Sequence, residues 1–356
     1  PYHSCEAYIA RLVEKGYKVA ICEQVEDPSK AQGLVKRDII RVITPGTVIE
    51  NTMLDEGKNN YLAAVAITEG GAGLCFADAS TGECHVTDIP ADKIDTRVPD
   101  ELMRFFPREI LITRDLRSKS EVLWEFLKKN FTASVTMRDT ACFDPAKAAA
   151  MISEHMCISD LNNRELTEGH PMLSALGAVI DYLTETGRST EIAVNNIDVY
   201  SDSRYMRLDM TAVRNLELTE TMRTKSKKGS LLWVLDKTRT AMGKRLMRSW
   251  IEKPLLNLAA ITLRQNAVAE LYSDTVLRGE LAEELSGVRD IERIITKTVY
   301  GTASPRDMLA VAETAGRFPR IKALCEKAQC RKLREIYDSI DTLDDITELI
   351  NAAVDP

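Results

Sequence analysis

The hydrophobic period of this 356-residue chain changes once, near Asn195, and that change sets what it can fold into. Before Asn195, short apolar runs bounded by turn residues alternate with segments of helical spacing. After it the strand signal fades and apolar residues recur at intervals of three and four. Such a chain makes an α/β part followed by an all-α part. At this length more than one core is expected, so two or three domains are the natural division.

The first stretch already reads as ordered structure. Cys5, Tyr8, Ile9, Leu12 and Val13 form one helical face, with Ser4 at the N-cap and Gly16 just past the end. A strand from Tyr17 to Cys22 follows, then the turn Glu26-Asp27-Pro28. A second strand, Leu34 to Thr44, carries Lys36, Arg37 and Arg41. An opening on a bare helix is expected of the tail of a domain rather than its start. Gly46 to Gly57 reads as a linker. Beyond it Tyr61–Ile67, Leu74–Ala79 and Glu83–Ile89 make a meander, and the chain then alternates. Helices are expected near 92–106, 119–130, 145–156 and 173–186, with strands near 109–113 and 132–136. The order βββαβαβα implies a mixed sheet with helices, the order of ribonuclease-H-like folds.

In the second part only Val199–Tyr200 and Met206–Leu208 read as strand. Ser230 and Thr240 are expected N-caps, and Ser304-Pro305-Arg306-Asp307 is a helix start with Ser capping and Pro in the first turn. Helices are expected over 258–272 and 275–285, and one long acidic helix over 333–353.

The formal net charge of −7 excludes little, because charge is segregated along the chain. Ser201–Leu256 holds 13 Lys or Arg against 6 Asp or Glu, a local +7, whereas 337–356 holds six acids and no base. Phosphate responds to local patches and not to the mean. The eight cysteines lack C-x-x-C spacing and read as reduced thiols of a cytosolic protein. No apolar run approaches 20 residues, so a membrane partner is not expected.

The segments PYHS, VAICEQVEDP, VKRDIIRVITPGT, NNYLAAV, LDMTAVRNLELTET, GSLLWVLDKTRTAMGKRLMRSWIEKPL and VRDIERI…GTASPRDM, in this order from Pro1 past Met308, resemble the MutS family of bacterial mismatch-recognition proteins. The resemblance implies an internal piece of such a protein. Residues 1–45 would be the end of the mismatch-binding domain, 46–190 a ribonuclease-H-like α/β connector, and 191–356 the first half of an all-α core or lever domain. It implies a parent that binds double-stranded DNA with mismatches or small loops, acts as a homodimer, meets MutL through the connector, and uses ATP and Mg. No cofactor is expected in this piece, since no G-x-x-x-x-G-K-S/T phosphate loop occurs in it. The family's Phe-x-Glu motif is expected upstream of Pro1. The implied location is cytoplasmic, at the nucleoid. The piece is expected to carry no catalytic or metal site, and to bind DNA weakly, in a salt-sensitive way, without mismatch preference.

By the same resemblance Arg37 and Lys36 fall where the mismatch-binding domain is basic beside the duplex. Strand alternation would put Arg37 and Arg41 on one face and Lys36 on the other. His3 is a weaker candidate near the same backbone. Taken without the family, all four also fit a solvated strand face or turn. The basic run Arg223, Lys225, Lys227 and Lys228 reads as a solvated loop.

Two rival functions differ in class. A ribonuclease-H-like nuclease needs clustered carboxylates beginning on the first strand. Tyr61–Ile67 offers none, and Asp78 and Glu83 read as turn residues. A MutS-related recombination protein without mismatch recognition would lack Phe-x-Glu. Cys84-His85 and His155-x-Cys157 lie about 70 residues apart, too far for a compact zinc spacing.

Overall fold

The computed structural model describes residues 5–27, 33, 35–131, 134–155, 170–188, 192–194, 196–201 and 204–355. They form two compact units, residues 1–55 with 59–201, and residues 56–58 with 202–356.

In the first unit α1 (Cys5–Glu14) buries Ile9 and Val13 against Ile43 and Val48. It ends at Gly16, whose φ of +85° suits a residue without Cβ. β1 (Val19–Gln24) and β2 (Arg37–Ile43) pair antiparallel as a ribbon.

The main sheet has the order β7-β6-β3-β4-β5-β8. Its strands are β3 (Leu62–Thr68), β4 (Gly71–Ala77), β5 (Glu83–Pro90), β6 (Glu109–Thr113), β7 (Ser134–Arg138) and β8 (Asn196–Val199). β3–β4 and β4–β5 are antiparallel, whereas β3–β6, β6–β7 and β5–β8 are parallel, so the mixed sheet is as expected. Leu62–Val65 are wholly buried, with α6 (Pro171–Gly187) packed on this strand. On β4 alternate residues report the two sides. Phe76 stacks on Phe105 of α2 (Ile94–Phe105) at 4.0 Å, while Gly73 lies under Pro171, which opens α6 (Pro171–Gly187). A Cβ on Gly73 would sit 2.0 Å from the Pro171 carbonyl carbon. Beside α6 packs α5 (Pro145–His155), where Gly177 leaves room for Ala148. The helix expected over 119–130 is α4 (Glu121–Asn130), which begins where the Ser120 side chain accepts the Leu123 N–H; a short α3 (Leu116–Lys119) precedes it.

Two expectations for this unit are corrected. Residues 46–49 are buried structure and not a free linker: the Gly46 N–H donates to Glu109, and Asn60 Nδ2 donates to the Pro45 carbonyl. Val199 ends an edge strand, β8, of the main sheet rather than opening the helical part, and Tyr200 follows it, its N–H donating to the Val86 carbonyl.

The second unit is helical, with α7 (Met210–Asn215), α8 (Leu231–Leu235), α9 (Ala241–Glu252), α10 (Leu258–Ser273), α11 (Thr275–Ser286), α12 (Ile291–Val299), α13 (Pro305–Ala315), α14 (Phe318–Glu326), α15 (Arg331–Ser339) and α16 (Asp344–Ala353). Ser230, Thr240 and Ser304 cap α8, α9 and α13 as expected, and Ser304 with Asp307 completes a capping box. One small core joins Leu218, Leu232 and Ile251; another joins Leu277, Leu281, Ile321, Leu324 and Cys325. The strand expected at Met206–Leu208 is reduced to a bridge between Tyr205 and Leu255. The long helix expected over 333–353 is two. Leu343 takes φ +54°, and Lys322 Nζ donates to the Ile340 carbonyl where α15 stops.

Two buried arginines hold residues 56–58 against these helices. Arg245 binds both Asp290 oxygens at 2.7 Å, Glu292 at 2.7 Å, and the Glu56 carbonyl at 3.2 Å. Arg293 donates to the Lys58 carbonyl at 3.0 Å. Among the described residues, no helix is long and apolar enough to cross a membrane.

Candidate nucleic-acid interface

The ribbon of β1 and β2 carries a bulge that redirects its cations. Ile21 faces Arg41, but Cys22 faces Ile39, so Ile40 is an extra residue on β2. One extra residue inverts the alternation beyond it. Arg37, opposite Gln24, therefore lies on the face away from Ile21, whereas Arg41 shares the face of Ile21, Val19 and Ile43. This corrects the expectation that Arg37 and Arg41 share a face.

Their surroundings differ accordingly. The Arg41 Nη1 is 2.5 Å from Glu50 Oε1, and its Nη2 donates to the Thr47 carbonyl at 3.2 Å. Its side chain is only 17% exposed, and it acts as a clasp between the ribbon and the turn that follows. Lys36 and Arg37 are exposed, and no carboxylate pairs with either side chain among the described residues. Lys36 does donate its backbone N–H to Glu26 at 3.2 Å. A fork of guanidinium donors on an open ribbon face suits phosphate oxygens. His3, Cys157 and the side chain of His155 lie outside the described residues.

The basic run after Arg223 is a built turn. The Thr221 N–H donates to the Ser226 carbonyl and the Lys225 N–H to the Thr221 carbonyl, while Lys227 pairs with Asp236 at 2.7 Å.

The residues weighed for nuclease or metal chemistry have structural partners. Asp78 accepts from the Ser80 N–H and hydroxyl and from the Asn60 N–H, pinning the turn between β4 and β5. Cys84 and His85 point to opposite faces of β5. Cys84 Sγ lies 3.5 Å from Cys75 Sγ in the interior, where burial pushes the Cys75 thiol well up. The His85 ring sits between Glu83 at 2.7 Å and Asp198 at 3.1 Å. No group of three or more His, Cys, Asp and Glu is placed to hold a metal among the described residues.

Family models for MutS domain I, MutS domain II and MutS domain III match residues 1–52, 60–198 and 211–356 in turn. The chain belongs to the MutS family. It is similar to proteins named DNA mismatch repair protein MutS. One from Alkaliphilus oremlandii (strain OhILAs) is 42% identical over 99% of this chain and 40% of its own length. Another from Ruminiclostridium cellulolyticum is 42% identical over the same shares, and one from Lachnoclostridium phytofermentans is 38% identical over 99% of this chain and 38% of its own. The chain thus spans about 40% of the length of the curated relatives it matches.

In this MutS-family chain Lys36, Arg37 and Arg41 belong to domain I. Sequence reasoning missed Glu109, in domain II, a fully buried carboxylate that opens β6. Its signal was a lone acid at the head of the apolar run Glu109-Ile-Leu-Ile-Thr113, which charge counting reads as a strand end.

Proposed function

We propose that this chain supplies the DNA-facing ribbon and the connecting body of a mismatch-repair protein. The reading is carried by Lys36 and Arg37, exposed without carboxylate partners among the described residues, while Arg41 on the same strand is paired. Contacts from such groups position a duplex without reading its sequence, which suits a protein that must accept any flanking sequence. In the longer relatives the substrate would be double-stranded DNA with a mismatch or small loop, and the working unit a homodimer. ATP and Mg would act in portions of those relatives outside this stretch. The α/β body of 59–201 would act as the connector that meets MutL, and the helical unit as a lever.

Fluorescence anisotropy of a labelled duplex tests the DNA reading. The expected result is weak binding of matched and mismatched duplexes alike, with log K falling as log salt rises. Arg37→Glu should weaken both equally, and Arg37→Ala should reduce the salt slope by about one, the loss of a single phosphate contact. A chain that ignores DNA at low salt, or an Arg37→Glu variant that binds as well as the wild type, rejects the reading. Co-precipitation with MutL, lost when exposed residues of the 59–201 body such as Glu121 and Glu125 of α4 are changed, tests the partner.

A further inference from the structure

We propose that Glu109 is a positioning residue that locks the Arg37-bearing ribbon to the main sheet, so that displacement of the ribbon is carried into β6 and α6. The direction of transmission rests on the nucleic-acid reading; the lock itself does not.

The carboxylate is wholly buried and collects donors from both sides of the joint. From the ribbon side come the Thr44 hydroxyl, the Gly46 N–H at 3.1 Å and Lys18 Nζ at 3.4 Å. From the sheet side come the Thr136 hydroxyl of β7 and the Tyr182 hydroxyl of α6, each at 2.7 Å. All five are donors, and an ionised carboxylate is a side chain that only accepts on both oxygens. Buried charge is costly unless it is surrounded by hydrogen bonds, so this group holds its neighbours in place. Burial, with the adjacent Glu109 charge, pushes the Tyr182 phenol up, which keeps it a donor. Lys18 Nζ also reaches the Tyr182 hydroxyl at 3.0 Å, tying ribbon to helix a second time.

Shape closes the same joint. A Cβ on Gly46 would lie 2.9 Å from both Glu109 Cβ and Leu62 Cδ1, so the turn after β2 rests directly on β6 and β3. On its other side Arg41 holds Thr47 and Glu50 to β2. An unbroken run of packed and hydrogen-bonded groups therefore leads from β2 to α6.

Amide hydrogen exchange on the whole chain tests the lock without DNA. Glu109→Gln presents an amide that must aim two N–H groups at donors. It should accelerate exchange over residues 42–49 by about tenfold, the scale of one or two lost hydrogen bonds. Amides of β3, β4 and β5 should be unchanged. Thr44→Val removes one donor at nearly constant volume and should accelerate the same segment less. The double variant should exchange no faster than Glu109→Gln alone, as expected of groups acting as one unit. Uniform acceleration across the first unit, unchanged exchange at 42–49, or additive effects would each overturn the lock. With duplex DNA present, protection should change at both the ribbon and α6 in the wild type. In Glu109→Gln it should change at the ribbon only, with the same DNA midpoint; a change that still reaches α6 overturns transmission. Failure of the wild type to bind DNA removes the nucleic-acid reading and transmission with it, while the DNA-free data still judge the lock.

Discussion

Arg37 and Arg41 are four positions apart on one strand, yet their chemistry separates cleanly. Arg41 is enclosed by Glu50 and the Thr47 carbonyl. Arg41→Ala should lower stability by about 1.5–3 kcal/mol in urea titrations, the range for hydrogen bonds to charged groups, and leave the salt slope of DNA binding unchanged. Arg37→Ala should leave stability unchanged and lower the salt slope. Asp181 gives a pH-dependent case. Burial pushes its carboxyl up, but hydrogen bonds from Lys147, Cys142 and Arg138 and the charge of Lys147 outweigh this and hold it below its ordinary 3.8. A depressed carboxylate stabilises the fold fully above its unfolded pKa and loses that contribution as pH falls through its folded value. Urea midpoints of wild type and Asp181→Asn should therefore differ at neutral pH and converge below about pH 4. A constant difference across that window would show that the ion pairs add nothing.

The elements show which signals the sequence carries and which it does not. Helix starts were legible because one side chain makes each of them: Ser230, Thr240 and Ser304 all accept the N–H that their spacing implied. Ser304→Ala should cost about 1 kcal/mol, as measured by thermal melting, because it removes half of a capping box. The β-bulge at Ile40 was not legible, since it is set by pairing with β1, a partner the strand's own pattern does not contain. The break between α15 and α16 escaped for a related reason. Leu343 holds a positive φ that favours glycine, and no glycine or proline marks the place. The candidate site was read in part. The cations were visible as residues, but the pairing of Arg41 and the burial of Glu109 depend on segments brought together from 50, 136 and 182. At the α5–α6 contact a small residue is required. Gly177→Ala would put a methyl 2.3 Å from Ala148 Cβ, and we expect a loss of about 1–3 kcal/mol in chemical denaturation.

For the whole molecule, the change of period near Asn195 matches the passage from a sheet-based unit to a helical one at 201–202. What the pattern could not give is the path of the chain around Asp55. Residues 1–55 cluster with the sheet, residues 56–58 with the helices, and residue 59 rejoins the sheet unit. Each unit has its own buried core, so a core lesson should stay local. Leu324→Ala, at a fully buried position, should cost about 2–5 kcal/mol in the helical unit. Peptide-resolved exchange should locate that loss in α11 and α14 and leave β3–β6 protected.

The capture of residues 56–58 has a practical consequence for anyone wishing to label or edit the protein. Arg245 and Arg293 take hold of the Glu56 and Lys58 carbonyl oxygens, atoms that every amino acid supplies. The Glu56 side chain adds only an exposed pair with Lys244, of a kind worth little. A fluorophore on a cysteine introduced at position 56 should therefore leave the clasp intact. The arginines allow no such freedom: at position 245 a lysine could not span two carboxylates and a carbonyl at once.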